Sequence, residues 1–338
     1  MIIVLKPDAT RTQEKDVLKE IRKLGYTPHV MRGVARVVIG AIGDERTHRS
    51  LEMLGTWPQV ESVTPIQKRY KLVSREAHAE NSTVKVTKDI QIGGKKFHVM
   101  AGPCSVENEK QLLTIAESVK KAGATVLRGG AFKPRTSPYE FQGLGEKGLK
   151  LLAKARRETG LAVITELLSE CHVDMVAEHA DILQIGTRNA QNFQLLIAAA
   201  KTGKPVLLKR GQFMRIEEWL LAGEYILANN NPNLMFCERG IRTFENYTRN
   251  TLDLSAIPII KKESHSPIVI DPSQGAGRAD LVAAMSKGAA AMGADALLIE
   301  VHTNPAEAWS DGAQQMGLSE FSQLMEELKP FLAAAGRE

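Results

Sequence analysis

From residue 97 onward, short apolar runs alternate with longer amphipathic segments. Phe97 to Met100, Thr125 to Leu127, Ala162 to Thr165, Ile182 to Ile185, Pro205 to Leu208, Leu234 to Cys237, Ile268 to Ile270 and Ala296 to Ile299 each have strand length. Continuous apolar runs are what strands covered on both faces require. Between them lie helix-length segments such as Gln111 to Lys121, Leu149 to Thr159, Asn192 to Lys201 and Leu281 to Met292. Eight strand–helix repeats in about 240 residues predict a (β/α)8 TIM barrel. A doubly wound open sheet is the alternative, but no Gly-rich dinucleotide fingerprint follows the first strand.

The first part of the chain has a different rhythm. Thr12 to Leu24 carries Val17, Leu18, Ile21 and Leu24 at helical spacing and stops at Gly25. Strand-like runs at Ile2 to Leu5, Pro28 to Met31, Ala35 to Ile39 and Val60 to Ile66, an Arg32-Gly33 turn and a helical Glu45 to Leu54 complete the order. That order predicts a ferredoxin-like βαββαβ domain over residues 1–66. It carries no obvious catalytic group, which leaves two roles open: oligomerisation and packing, or sensing a small ligand at a subunit interface. Residues 67–82 are charged, lack a sustained apolar period and read as a linker. The barrel domain then runs over 83–338, opened by a β-hairpin at Thr83 to Ile92 before Gly93-Gly94.

A length of 338 residues suits one large domain plus a small one. The net charge of +5 is small and mixed in sign along the chain, and aromatics make up only 5%. Neither favours a nucleic-acid partner. Cys104, Cys171 and Cys237 cannot all pair and show no paired zinc spacing, so a reducing, cytoplasmic setting is expected. The opening MIIVLKPDAT has too short an apolar run for a signal peptide or a membrane span.

Barrel enzymes build their sites at the C-terminal ends of the strands. Here those ends carry Cys104, Arg128 with Lys133, Glu166, Gln184 with Arg188, Lys209 with Arg210, Glu238 with Arg239, Asp271, and Glu300 with His302. Arg128, Lys133, Arg135, Arg188, Lys209, Arg239 and Arg242 would converge on one mouth. So much positive charge is costly unless anions occupy it, which implies a phosphorylated or carboxylated substrate. Cys104 alone would read as a buried small hydrophobe. Barrel closure, however, brings Glu300 and Asp311 beside it, and a thiolate with two carboxylates suits a divalent transition metal. His29, His48, His172 and His179 read as structural or solvated.

Long motifs recur in a familiar order: GPCS at Gly102 to Ser105, LRGGAFKPRTSPYEFQGLG at Leu127 to Gly145, QIGTRNAQNF at Gln184 to Phe193, LLKRG at Leu207 to Gly211, CERGIRTFE at Cys237 to Glu245, DPS at Asp271 to Ser273 and IEVH at Ile299 to His302. Together they resemble the 3-deoxy-D-arabino-heptulosonate 7-phosphate synthase family, and the first module resembles the regulatory domain of its subgroup with a ferredoxin-like extension. The resemblance implies condensation of phosphoenolpyruvate with erythrose 4-phosphate, releasing phosphate, as the first step of the shikimate pathway to aromatic amino acids.

By motif, Arg128, Lys133, Arg188, Lys209 and Arg239 would hold phosphoenolpyruvate, and Arg135, Thr136 and Ser137 would hold erythrose 4-phosphate beside Lys133. Lys133, Cys104, Glu300 and Asp311 would be the catalytic set. The resemblance also implies a divalent metal (Mn, Co, Fe or Zn) as Lewis acid on Cys104, Glu300 and Asp311. Where the family presents a histidine ligand, this chain has Gln274. A Gln274 carboxamide ligand would tilt the preference towards Mn-like ions, unless water, His265 or His302 takes its place. Two other readings stay open: the related eight-carbon 3-deoxy-octulosonate 8-phosphate synthase, and a catalytically impaired homologue that senses aromatic amino acids. A Tyr or Phe effector at the first module and a homotetramer or homodimer are further implications, with no nucleic-acid or membrane partner.

Overall fold

The computed structural model describes residues 1–32, 36–43, 50–64 and 69–338. The chain forms two compact units, residues 1–69 and 70–338.

In the first unit the strands are β1 (Ile2–Leu5), β2 (Thr27–Arg32), β3 (Val37–Ile42) and β4 (Val60–Thr64), with α1 (Arg11–Lys23) between β1 and β2. The sheet order is β2-β3-β1-β4, every pair antiparallel. This is the ferredoxin-like arrangement. Strand alternation buries Ile3 and Leu5, and α1 lays Val17 and Ile21 on them, with Ile39, Leu51 and Leu54 completing the core. Thr10 starts α1 with a capping box shared with Gln13. Of the expected helix over Glu45 to Leu54, most lies outside the described residues; the described end is a 3-10 turn at Glu52–Thr56. Gly33, Ala35, His48 and Ile66 also lie outside them.

The second unit is a closed barrel of eight parallel strands. A hairpin of β5 (Val84–Lys85) and β6 (Gln91–Ile92) precedes β7 (His98–Gly102), β8 (Val126–Arg128), β9 (Ala162–Glu166), β10 (Ile182–Ile185), β11 (Val206–Lys209), β12 (Leu234–Glu238), β13 (Ile268–Ile270) and β14 (Ala296–Glu300). The helices are α2 (Glu109–Lys121), α3 (Glu146–Thr159), α4 (Val173–His179), α5 (Phe193–Lys201), α6 (Ile216–Leu227), α7 (Ala256–Glu263), α8 (Pro272–Ala276), α9 (Ala279–Ala291) and α10 (Leu318–Ala334). Each strand expected from the sequence is present. Several run one or two residues further, because the polar residue that ends the apolar run still pairs: Glu300 lies opposite Gly102 and Lys209 opposite Cys237.

Two apolar layers hold the barrel. Outside the strands, α2, α3, α6 and α10 bury Leu112, Leu152, Trp219 and Phe321. Inside, Met100, Val126, Ile164, Met235, Val269 and Leu298 fill the lumen and meet Val84, Ile90 and Ile92 of the hairpin segment. The hairpin thus stoppers the end where the strands begin. There His98 is satisfied on both ring nitrogens, by Thr125 Oγ1 and the Gln91 carbonyl.

The linker expected over 67–82 is not free from Tyr70 onward. Val73 is fully buried, the Leu72 and Val73 N–H groups donate to the Glu224 carboxylate at 2.7 and 3.0 Å, and Arg75 Nε donates to the Lys261 carbonyl. Two apolar anchors inside a charged run, Tyr70 and Val73, suffice to dock it on the barrel. Among the described residues no helix is long and apolar enough to cross a membrane.

Candidate active site

β7 ends at Gly102, where a Cβ would stand 2.1 Å from the Arg128 carbonyl oxygen. Only glycine lets β7 and β8 approach so closely, and the chain then turns through Pro103 to place Cys104 at the rim. Barrel closure sets Glu300 of β14 beside it. Asp311 arrives from the loop after β14 with φ +49°, a left-handed conformation that aspartate tolerates better than most residues. Ligand atoms of Cys104, Glu300 and Asp311 all lie within 4.8 Å of one another.

Each member of this cluster is held from several sides. Lys133 Nζ donates to Cys104 Sγ at 2.9 Å, and the thiol lies 3.3 Å from Asp311 Oδ2. Glu300 accepts from Arg128 Nη1 at 3.1 Å, Gln314 Nε2 at 2.7 Å and Gln274 Nε2 at 3.1 Å. Arg249 Nη1 reaches Asp311 at 3.2 Å. Burial, with Glu300 adding to it, pushes the Cys104 thiol up to about 12 against the pull of Lys133. Burial would also raise the Asp311 carboxyl, but Lys133 and Arg249 outweigh it and hold the group below its ordinary value. Lys133 itself is raised: burial opposes its charge, and Cys104 and Glu300 prevail.

The donor set fits a divalent cation. A buried thiol with a raised pKa, packed against two carboxylates, gains most by exchanging its proton for a metal. Lys133 and Arg128 already offset the negative charge that would result.

Next to the cluster opens a cavity of about 220 Å³, lined among others by Arg128, Lys133, Arg135, Thr136, Glu166, Gln184, Arg188, Lys209, Arg239 and Arg249. Arg128 Nε and Arg239 Nη1 are buried without a hydrogen-bond partner among the described residues. Buried guanidinium donors are rarely left so unless a ligand completes them. Burial lowers the Arg239 pKa in spite of Asp271, the price of holding a cation there without a full counter-charge. Lys209 rests on Asp271 at 2.6 Å, Arg188 donates to Thr136 Oγ1 at 3.1 Å, and Arg135 pairs with Glu140 at 3.0 Å. Glu166 accepts from Gln184 Nε2, and a Cβ on Gly186 would stand 1.8 Å from its Oε1, so the Gln184 to Gly186 motif keeps that carboxylate in place.

Several expected members fall elsewhere. Arg242 is exposed and does not line the cavity, because the loop after β12 carries its side chain out to solvent. The Ser137 hydroxyl is likewise outside the lining and accepts from the Tyr139 N–H in a local turn. Arg210 is engaged by Glu238 and Asp253 behind the rim. The Gln274 carboxamide oxygen accepts from Arg239 Nη2 at 2.9 Å and its nitrogen donates to Glu300 Oε1 at 3.1 Å, so the atom that meets the cluster is the one that does not bind metals. Neither histidine substitutes for it: His302 Nδ1 accepts from the Asn304 N–H while Nε2 meets Glu107 and Gln111, and His265 bonds Ser82 and the Leu72 carbonyl near the hairpin end. His172 stacks on Phe132 and His179 bonds the Met175 carbonyl, in keeping with structural roles.

Sequence reasoning missed Arg249, Gln314 and Gln315, whose amide oxygen accepts from the Cys104 N–H at 3.1 Å. Each sits in a loop rather than at the end of an apolar run, where no periodicity marks it.

A closed (β/α)8 barrel with a thiol–dicarboxylate cluster opening into a cationic cavity defines an enzyme acting on small anionic substrates with metal assistance. The chain belongs to the DAHP synthetase I family, whose model matches residues 76–334, and the DAHP synthase ferredoxin-like domain matches residues 1–68. It is 49% identical to the phospho-2-dehydro-3-deoxyheptonate aldolase of Thermotoga maritima over 99% of both chains. A crystal structure of the Thermotoga maritima aldolase matches with a TM-score of 0.94, covering 100% of this chain and 98% of that one at 49% identity. A truncated form of the 3-deoxy-D-arabino-heptulosonate 7-phosphate synthase from Thermotoga maritima matches 80% of this chain and 98% of its own, with a TM-score of 0.75 and 48% identity. The 2-dehydro-3-deoxyphosphooctonate aldolase of Syntrophobacter fumaroxidans is 33% identical over 70% of this chain and 88% of its own.

Proposed function

We propose that the barrel condenses phosphoenolpyruvate with erythrose 4-phosphate and water to give 3-deoxy-D-arabino-heptulosonate 7-phosphate and inorganic phosphate. The observation that carries the assignment is the pair of buried, unpartnered guanidinium donors of Arg128 and Arg239 in a cavity that adjoins the Cys104, Glu300 and Asp311 cluster. Arg128, Lys133, Arg188, Lys209 and Arg239 take the phosphate and carboxylate of phosphoenolpyruvate, Arg with paired donors and Lys as a point charge. Arg135 and Thr136 take the phosphate of the aldehyde substrate at the outer edge, where both side chains line the cavity.

Held this way, the two anions meet despite their repulsion, and C3 of phosphoenolpyruvate is presented to the aldehyde carbon. Bonding between those carbons leaves C2 electron-poor; water adds there, and phosphate departs with cleavage of the C2–O bond. A divalent metal on Cys104, Glu300 and Asp311 would supply Lewis acidity at the aldehyde oxygen. Lys133 gives the new alkoxide a proton, a role supported by its contact with Cys104 and its position in the cavity lining. With one thiolate, two carboxylates and no imidazole, oxygen-favouring ions such as Mn²⁺ suit the cluster best.

The test follows inorganic phosphate released by metal-reconstituted protein. Release must require both substrates, and arabinose 5-phosphate in place of erythrose 4-phosphate must give little. For the first module we propose a regulatory role with Tyr or Phe as effector, supported by the match to the DAHP synthase ferredoxin-like domain. Removing residues 1–69, a compact unit, then yields an enzyme indifferent to both amino acids; inhibition that survives the deletion contradicts the role.

A further inference from the structure

Gln274 lies on α8 at the turn that follows β13. The Asp271 carboxylate caps that turn, accepting from the Gln274 backbone N–H at 2.8 Å with one oxygen and from Lys209 Nζ at 2.6 Å with the other. Ser273 Oγ accepts from the Glu300 N–H at 3.0 Å. The short helix is therefore bonded both to a cation of the anion cavity and to the strand end that carries a cluster carboxylate.

The Gln274 side chain repeats this double connection. Its oxygen accepts from Arg239 Nη2 and its nitrogen donates to Glu300 Oε1. Guanidinium can only donate and carboxylate can only accept, so the partners permit one orientation of the carboxamide. In that orientation the oxygen, the amide's one metal-binding atom, is turned to Arg239, and the nitrogen, which does not bind metals, is turned to the cluster carboxylate. Histidine could not do the same while ligating: with one ring nitrogen on a metal, the other is an N–H donor and cannot accept from a guanidinium.

We propose that Gln274 is a positioning residue and not a ligand. It joins the anion-binding Arg239 and the cluster carboxylate Glu300 into one hydrogen-bonded unit, leaving Cys104, Glu300 and Asp311 as the protein donors. Holding Arg239 by Nη2 leaves its buried Nη1 without a partner among the described residues, a donor kept for phosphoenolpyruvate. The inference rests on the synthase reading only for the identity of that anion.

Two measurements on the full-length protein test it without turnover. Cobalt(II) is added to metal-free protein and its visible spectrum recorded, and phosphoenolpyruvate binding to metal-free protein is titrated by calorimetry. With Gln274→Leu cobalt still binds and its visible bands keep the intensity of the parent's coordination number, while phosphoenolpyruvate binds about tenfold more weakly for the loss of a charge-assisted contact that holds Arg239. Gln274→Ala behaves the same way and covers the case in which leucine does not fit. Gln274→His moves the cobalt bands, which shows that the probe senses a ligand at this position. A change of band intensity that marks a different coordination number in both apolar variants makes Gln274 a ligand and overturns the proposal, as does unaltered phosphoenolpyruvate affinity; a small band shift alone is the expected trace of the lost bond to Glu300. Failure of the parent itself to bind phosphoenolpyruvate removes the synthase reading instead, and the cobalt spectra still decide ligation.

Discussion

The two ends of the barrel are made from the same eight strands and have opposite construction. Where the strands begin, Val84, Ile90 and Ile92 of the hairpin segment close the lumen over an apolar filling, and His98 is satisfied at both nitrogens. Where they end, Arg128, Lys133, Lys209, Arg239, Glu238, Asp271 and Glu300 are all buried, and two guanidinium donors lack partners among the described residues. One end gains free energy from area removed from water, while the other holds charges whose desolvation is offset in part by pairs such as Lys209 with Asp271 and Arg128 with Glu300, and in full only when anions and a cation arrive. The contrast teaches that the lower end stabilises the frame in which the upper end can remain incompletely paired.

Substitutions at the two ends therefore have separable effects. Lys133→Met removes the ammonium that faces both cluster and cavity, and turnover falls about 10³-fold, with the circular dichroism spectrum unchanged; phosphate release measures it. Ile92→Ala at the hairpin end costs about 3 kcal/mol in denaturant unfolding, while kcat at 25 °C stays close to the parent's. A kcat loss in Ile92→Ala comparable to that of Lys133→Met would mean that the two ends are not separable. A smaller effect sharpens the map of the upper end. Arg135→Ala raises the KM for erythrose 4-phosphate about tenfold and leaves that for phosphoenolpyruvate nearly unchanged.

The smallest effect concerns Cys237, a thiol of the lumen. Burial pushes its pKa well above the ordinary value. Above that ordinary value the unfolded chain loses the proton while the folded chain keeps it, so this contribution to stability is complete below about pH 8.5 and declines as pH rises. Between pH 9 and 10 the parent loses about 1 kcal/mol through this group, and Cys237→Ala shows a shallower decline of the urea midpoint.

The ends also differ in how far they could be read from residues alone. Every barrel strand was legible, because fully buried parallel strands leave unbroken apolar runs, and the polar residue closing each run marked the rim. Cys104, Glu300 and Asp311 followed from closure of the barrel. Side-chain orientation was not legible: nothing in the spacing shows that the Gln274 oxygen goes to Arg239, that Arg242 turns outward, or that His302 is taken up by Glu107, Gln111 and Asn304. Those outcomes depend on which partners a loop happens to meet. The docking of residues 70–82 escaped for a related reason, since its buried apolar anchors are only Tyr70 and Val73, too few to set a period.

The most direct measurement strips the protein with a chelator and follows phosphoenolpyruvate consumption with erythrose 4-phosphate as Mn²⁺, Co²⁺, Fe²⁺ or Zn²⁺ is returned singly. No turnover is expected without metal, and recovery with at least one ion, Mn²⁺ foremost, accompanied by one inorganic phosphate for each phosphoenolpyruvate lost. Undiminished turnover in the stripped protein, or none with any ion while phosphoenolpyruvate still binds, would contradict metal-assisted condensation.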